Sequence, residues 1–132
     1  MNYLGIDYWT NKIGLAINVE NVALPLWIIK NSNAIEQIRK IIFDRKIDWV
    51  IIWMANHVNW KESEHSRRIK SFSGILKKEI WIEVIFHDER FSSFEAKTSF
   101  ENYWEKRFDP RKLDDIAACI ILQSYLDSKN FK

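Results

Sequence analysis

Apolar residues along this chain come in short runs separated by polar turns, and their spacing changes from run to run. Residues 2–8 (Asn-Tyr-Leu-Gly-Ile-Asp-Tyr) read as a short buried strand. Residues 12–19 read as a second strand, after a tight turn at Tyr8-Trp9-Thr10-Asn11. Residues 23–30 read as a third, with Pro25 near its start, where a missing N–H is best tolerated. Connections this short favour an antiparallel meander. Asn31-Ser32-Asn33 supplies capping chemistry for a helix, and Ile35, Ile38, Ile41 and Ile42 follow at helical spacing. The run at 48–53 (Asp-Trp-Val-Ile-Ile-Trp) is apolar after its first residue, as in a strand covered on both faces.

A polar loop is expected at 54–61 and a basic helix over roughly 62–78, with Ile69, Phe72, Ile75 and Leu76 on one face. Residues 81–87 make a fifth strand. Ser92-Ser93-Phe94-Glu95 has the spacing of a capping box and starts a further helix. Pro110 breaks the chain, and residues 113–126 form the last helix, with Ile116, Ile120 and Leu122 among its apolar positions. The expected class is α/β in the order βββαβαβα, with helices covering both faces of the sheet. No linker, repeat or low-complexity tract divides residues 1–132, so one domain is expected.

Composition narrows the function. A chain of 132 residues is long enough for a real core, and 47% apolar residues is ordinary for a globular protein. No apolar run approaches the roughly 20 residues needed to span a bilayer. The start meets Asp7 early and lacks a basic flank, so no secretory signal and no membrane partner are expected. A single cysteine, Cys119, rules out an internal disulfide framework and suits a reducing cytoplasm. Its apolar neighbours mark a buried structural thiol. A net charge of +2 is too weak by itself to imply nucleic acid, so any basic footprint must be local. Arg67-Arg68-Ile69-Lys70, Lys77-Lys78, Lys106-Arg107 and Arg111-Lys112 are the dense basic points. The last directly precedes Asp114, as a phosphate-binding edge would, although solvated helix faces explain each cluster equally well.

Acids fall at the ends of three separate elements. Asp7 closes the first strand, Asp88 and Glu89 close the fifth, and Asp114 opens the last helix. Carboxylates are costly in apolar surroundings unless a positive partner meets them. Acids gathered from separate buried elements therefore point to a shared cation, Mg²⁺ or Mn²⁺, and to metal-assisted attack on a phosphodiester. A solvated acid at an element end is the commoner fate of any one Asp. His57, His65 and His87 lack ligand spacing, so zinc is not expected.

Several segments match a known family in order, nearly end to end. Gly5-Ile6-Asp7-Tyr8 with Ile13-Gly14-Leu15-Ala16 resembles the opening motif of the YqgF-type pre-16S rRNA nucleases, relatives of the RuvC-type Holliday-junction resolvases. Ala23-Leu24-Pro25-Leu26 is similar to the third-strand segment of that family. Asp88-Glu89-Arg90-Phe91-Ser92-Ser93, with Glu95-Ala96, resembles its Asp-Glu-Arg motif, and Leu113-Asp114-Asp115-Ile116-Ala117-Ala118 its C-terminal signature. The resemblance implies an RNase H-like fold with a five-stranded mixed sheet, the first three strands antiparallel. It implies cytoplasmic trimming of the 5′ end of 16S ribosomal RNA precursor. Position by position it makes Asp7 and Asp114 metal-binding carboxylates. The third comes from the Asp-Glu-Arg motif, where Glu89 is favoured over Asp88. Arg90 either pairs with a phosphate or neutralises the neighbouring acids. Thr10, Lys12, Arg111 and Lys112 are candidate phosphate contacts. Asn11 is better read as ordinary hairpin chemistry. The expected partner is structured RNA bound by a monomer or weak dimer. A branched-DNA endonuclease, which needs a dimer, and a binding protein without catalysis are the alternatives.

The departures share one form. Trp9, Trp53 and Trp60 stand where the resembled family has glycine, and Trp27 and Trp81 are softer cases. Trp49 and Trp104 do not align to glycine. Seven Trp against three Gly reverses the usual ranking, since glycine is ordinarily about 7% of residues. A decoding difference fits best: a gene that reads UGA as glycine, translated here with UGA as tryptophan. The alternative is true divergence, with loop aromatics that stack on RNA bases. If the glycine at position 9 serves a turn with φ > 0, an indole there strains the backbone.

Overall fold

The structure, a computed structural model, describes the backbone of residues 1–54, 64–88 and 113–130, and the side chains of all of these but 88, 113–116 and 130. Three antiparallel strands come first: β1 (Tyr3–Tyr8), β2 (Lys12–Val19) and β3 (Val22–Lys30). Helix α1 (Ala34–Arg45) leads to β4 (Trp49–Met54), and α2 (Glu64–Ile80) to β5 (Glu83–Asp88). Helix α3 (Leu113–Asn130) follows. The helix expected from Ser92 and most of the loop expected at 54–61 lie outside the described residues.

The sheet has five strands in the order β3-β2-β1-β4-β5, with β4 parallel to β1 and β5 parallel to β4. β1 is central because both of its faces are covered. Leu4 and Ile6 are fully buried in one apolar cluster, with Ile38 and Ile41 of α1 and Ile69, Phe72 and Leu76 of α2. Tyr3 belongs to a second cluster on the opposite face, with Ala118, Cys119, Leu122 and Leu126 of α3. The period of two in the strand thus sorts its residues between two helical layers. Pro25 lies in β3, an edge strand, where its missing N–H breaks no central ladder.

Gly5 is where α3 crosses β1. A Cβ built there would lie 2.9 Å from the Leu122 Cβ and 3.1 Å from the Ala118 carbonyl oxygen. Glycine is needed at this point for close approach. Leu122 is itself fully buried. Leu122→Ala is therefore expected to destabilise the protein by about 2–5 kcal/mol, read as a lower urea midpoint with an unchanged slope.

Two local expectations change. Asn33 precedes α1 but makes no side-chain cap. Its Oδ1 accepts from Gln37 Nε2 at 2.8 Å instead, and residues Asn31–Asn33 form a single 3₁₀ turn. The strand expected from 81 begins at Glu83, because Trp81 takes the position just past α2. Its φ is 63°, and its N–H donates to the Lys77 carbonyl at 3.1 Å. That is a left-handed helix terminus, which a strand cannot share.

Candidate active site at the end of the central strand

Tyr3 and Gly5 face α3, so strand alternation places Asp7 on that same face, at the C-terminal end of β1. The parallel register puts Gly5 opposite Ile51 and Ile6 opposite Ile52, which brings Asp7 level with Trp53; Trp53 in turn pairs with His87. Asp7, Trp53 and His87 therefore form a row across the ends of β1, β4 and the edge strand β5. His87 is buried, and its Nε2 lies 2.9 Å from the Ser124 Oγ of α3. Its ring meets Tyr125 and Trp53 edge-on. This contact ties β5 to α3. His87 is in phase with Ile85 along β5, and that phase is the signal in the sequence that would have placed it on this face.

The direction of α3 decides where Asp114 falls. Tyr3 packs edge-on against Tyr125, its ring centroid 5.6 Å away, and its hydroxyl accepts from Lys129 Nζ at 2.7 Å. Gly5, further along β1, meets Leu122 and Ala118. The helix therefore runs antiparallel to β1. Two strand residues advance roughly 6–7 Å, the rise of about four to five helix residues. The same step from Ala118 reaches the first turn of α3 at the level of Asp7. Asp114 is the second residue of that helix.

The other expected acids are placed less fully. Asp88 is the last residue of β5, paired with Met54. Glu89, Arg90, Arg111 and Lys112 lie outside the described residues. Among the described residues no group of three or more His, Cys, Asp or Glu is arranged to hold a metal ion.

The turn beyond Asp7 is braced. The Trp9 N–H donates to the Lys12 carbonyl at 3.1 Å, closing the hairpin. Asn31 then ties that hairpin to the end of β3. Its Nδ2 donates to the Trp9 carbonyl at 2.7 Å, and its N–H to the Asn11 carbonyl at 3.2 Å. Asn31 thus positions Thr10, which is exposed in the turn, and Lys12, half-buried at the start of β2. The local sequence at Asn31 signals only capping chemistry, since its partners lie about twenty residues away.

Trp9 makes the contact of most consequence. Its indole Nε1–H donates to the Asp7 Oδ2 at 2.9 Å, and its ring lies 5.5 Å from that of His65 at the start of α2. Its φ is not positive, so the strain conditionally expected at position 9 does not arise. The basic cluster on α2 behaves as a solvated face. Arg67, Arg68 and Lys70 are exposed, Ile69 between them is buried, and Arg68 pairs with Glu64 at 2.8 Å.

Cys119 lies against the sheet inside the α3 layer, and burial pushes its thiol up to about 12. Thiolate, the reactive form, is then scarce at pH 8. Alkylation by iodoacetamide at pH 8 is expected to leave the native protein unmodified and to label it at once in denaturant.

This sheet order, with helices on both faces, is the fold of the solved RuvC structures. Thermus thermophilus RuvC superposes with a TM-score of 0.72, 11% identity, and coverage of 99% of this chain and 96% of that one. The same organism's RuvC in complex with a Holliday junction substrate gives 0.70 at 12% identity, covering 99% of this chain and 96% of that one. At such identities the likeness is one of fold. The sequence goes further. The family model described as RuvX, Holliday junction resolvase, matches residues 1–128, and the chain belongs to that family. Relatives named "Putative pre-16S rRNA nuclease" include one from Sulfurihydrogenibium sp. (strain YO3AOP1), 35% identical over 97% of this chain and 91% of its own length. Another, from Clostridium tetani, is 34% identical over 97% of both chains. No described helix is long and apolar enough to cross a membrane.

Proposed function

We propose that this chain is a cytoplasmic, divalent-cation-dependent nuclease that hydrolyses phosphodiester bonds in structured RNA, at the 5′ end of pre-16S ribosomal RNA. The carrying observation is the antiparallel docking of α3 on β1, which brings the backbone of Asp114 to the level of the Asp7 carboxylate. Family membership and relatives named for pre-16S rRNA support the substrate class.

The residues present fit a hard cation. Asp7 offers carboxylate oxygens, the hard donors that such an ion takes, at a half-buried strand end. Asp7, Asp114 and Glu89 would hold Mg²⁺ or Mn²⁺. Glu89 is preferred to Asp88 on the resemblance of Asp88-Glu89-Arg90 to the family's Asp-Glu-Arg motif, with Asp88 as the alternative. When bound, such an ion makes an attacking water more acidic and offsets charge on the departing oxygen. The remaining work belongs to side chains that bind the phosphate backbone: Thr10 and Lys12 from the braced turn, with Arg90, Arg111 and Lys112. Arg90 suits this role because its planar fork matches two phosphate oxygens.

A second reading, cleavage of branched DNA, is favoured by the likeness to RuvC bound to a Holliday junction. The two are separated by cleavage assays on a precursor-like RNA and on a four-way DNA junction, each with Mg²⁺ and with EDTA. Mg²⁺-dependent cleavage of the RNA alone is expected of the monomer or weak dimer. Cleavage of the junction alone, by a stable dimer, would replace the first reading with the second. Binding without cleavage in either arm would leave a nucleic-acid-binding protein.

A further inference from the structure

We infer that Trp9 and Trp81 occupy positions that are glycine in the natural protein, and that in this chain the Trp9 indole competes with a cation for the Asp7 Oδ2. The second half rests on the reading of Asp7 as a cation ligand; the first does not.

Trp81 carries the backbone argument. It sits just past the C-terminus of α2 with φ 63° and its N–H on the Lys77 carbonyl, the position that glycine fills in many helices. A bulky residue in this region is a genuine outlier. Its side chain is 91% exposed, so no packing compensates for the conformation. Glu20 and Lys46 also have positive φ, but with flexible polar side chains. None of the chain's three glycines has positive φ. Glycine is thus missing from every described position with positive φ, while an aromatic residue stands at one of them.

Trp9 carries the functional argument. Nothing in its backbone requires glycine, but its indole N–H bonds to Asp7 Oδ2 at 2.9 Å while the residue is 50% exposed. A charge-assisted bond to a carboxylate must be broken before a cation can use that oxygen. Glycine at position 9 would remove the indole from that oxygen and keep the hairpin bond from the residue 9 N–H to the Lys12 carbonyl, which is made by backbone atoms. One cause covers both sites: a UGA codon read as glycine in the source and as tryptophan in this chain. It also bears on the excess of Trp over Gly, seven against three.

The codons and three variants test this. UGA is expected at codons 9 and 81; UGG at either overturns the assignment there. Trp81→Gly is expected to raise the melting temperature by about 3–6 °C, through relief at a left-handed position, with Mn²⁺ affinity unchanged. Trp9→Gly is expected to raise Mn²⁺ affinity by calorimetry about tenfold, from loss of one charge-assisted bond. A lower melting temperature in Trp81→Gly, or weaker Mn²⁺ binding and RNA cleavage in Trp9→Gly, overturns the inference and makes the indole a native stacking group. Asp7→Asn in the Trp9→Gly background separates the two halves. Mn²⁺ binding that survives it overturns the Asp7 reading and the blocking role, while the codons and the melting temperature still decide the glycine assignment.

Discussion

Asp7→Asn is expected to lower Mg²⁺-dependent cleavage by about 10²–10⁴-fold while moving the melting temperature by no more than a degree or two. The rate estimate follows from the several kcal/mol of transition-state stabilisation that a bound cation supplies, at ~1.4 kcal/mol per decade. Asn cannot supply the negative charge that holds the ion. It matches Asp in shape, and its carbonyl oxygen still accepts the Trp9 indole N–H, so the packing around β1 is kept. The measurement is single-turnover cleavage of a precursor-like RNA beside a thermal melt. Residual activity within tenfold of the starting chain would remove Asp7 from the reaction.

Gly5→Val is expected to damage both stability and activity, for one geometric reason. The nearest atoms to an added Cβ are the Leu122 Cβ at 2.9 Å and the Ala118 carbonyl oxygen at 3.1 Å, both on α3. Neither is the free end of a flexible chain, so the helix itself must move outward. Overpacking of this kind costs about 1–3 kcal/mol, a fall of roughly 3–15 °C in melting temperature for a domain of this size. The same displacement lifts Asp114 from the level of Asp7. Misplacement by about 1 Å can lower a rate ~10²-fold, so cleavage is expected to fall by one to two decades even below the melting transition. Gly74→Ala is the control, because nothing lies within 4 Å of its added Cβ on α2. That change is expected to stabilise the protein by about 0.4–1 kcal/mol with cleavage unchanged. Equal behaviour of the two variants would show that α3 does not depend on close approach at Gly5.

Much of the architecture is legible in the chain because period and punctuation are local. The run at 48–53 is apolar after Asp48, without alternation, and supplies most of β4 (Trp49–Met54), a strand with neighbours on both sides and helical layers on both faces. The isoleucines of α1 repeat at helical spacing and supply Ile38 and Ile41 to the core. The errors fall where a local signal has two physical uses. Asn31 has the chemistry of a cap, yet it bonds to the β1–β2 turn, a partner no local rule anticipates. Trp81 has the apolar character of a strand residue, yet the end of α2 claims it.

By itself the sequence determined the succession of elements, the acids at their ends and the excess of tryptophan over glycine, since all three are properties of neighbouring residues or of composition. It determined family membership as well, because motifs are matched in order along the chain. Only the tertiary structure decided that α3 runs antiparallel to β1 and reaches the level of Asp7, that Gly5 is the point of closest approach, and that the Trp9 indole bonds to Asp7. Those are relations between elements about a hundred residues apart, or between a side chain and its rotamer. They are set by which apolar faces bury one another, and no local periodicity encodes that choice.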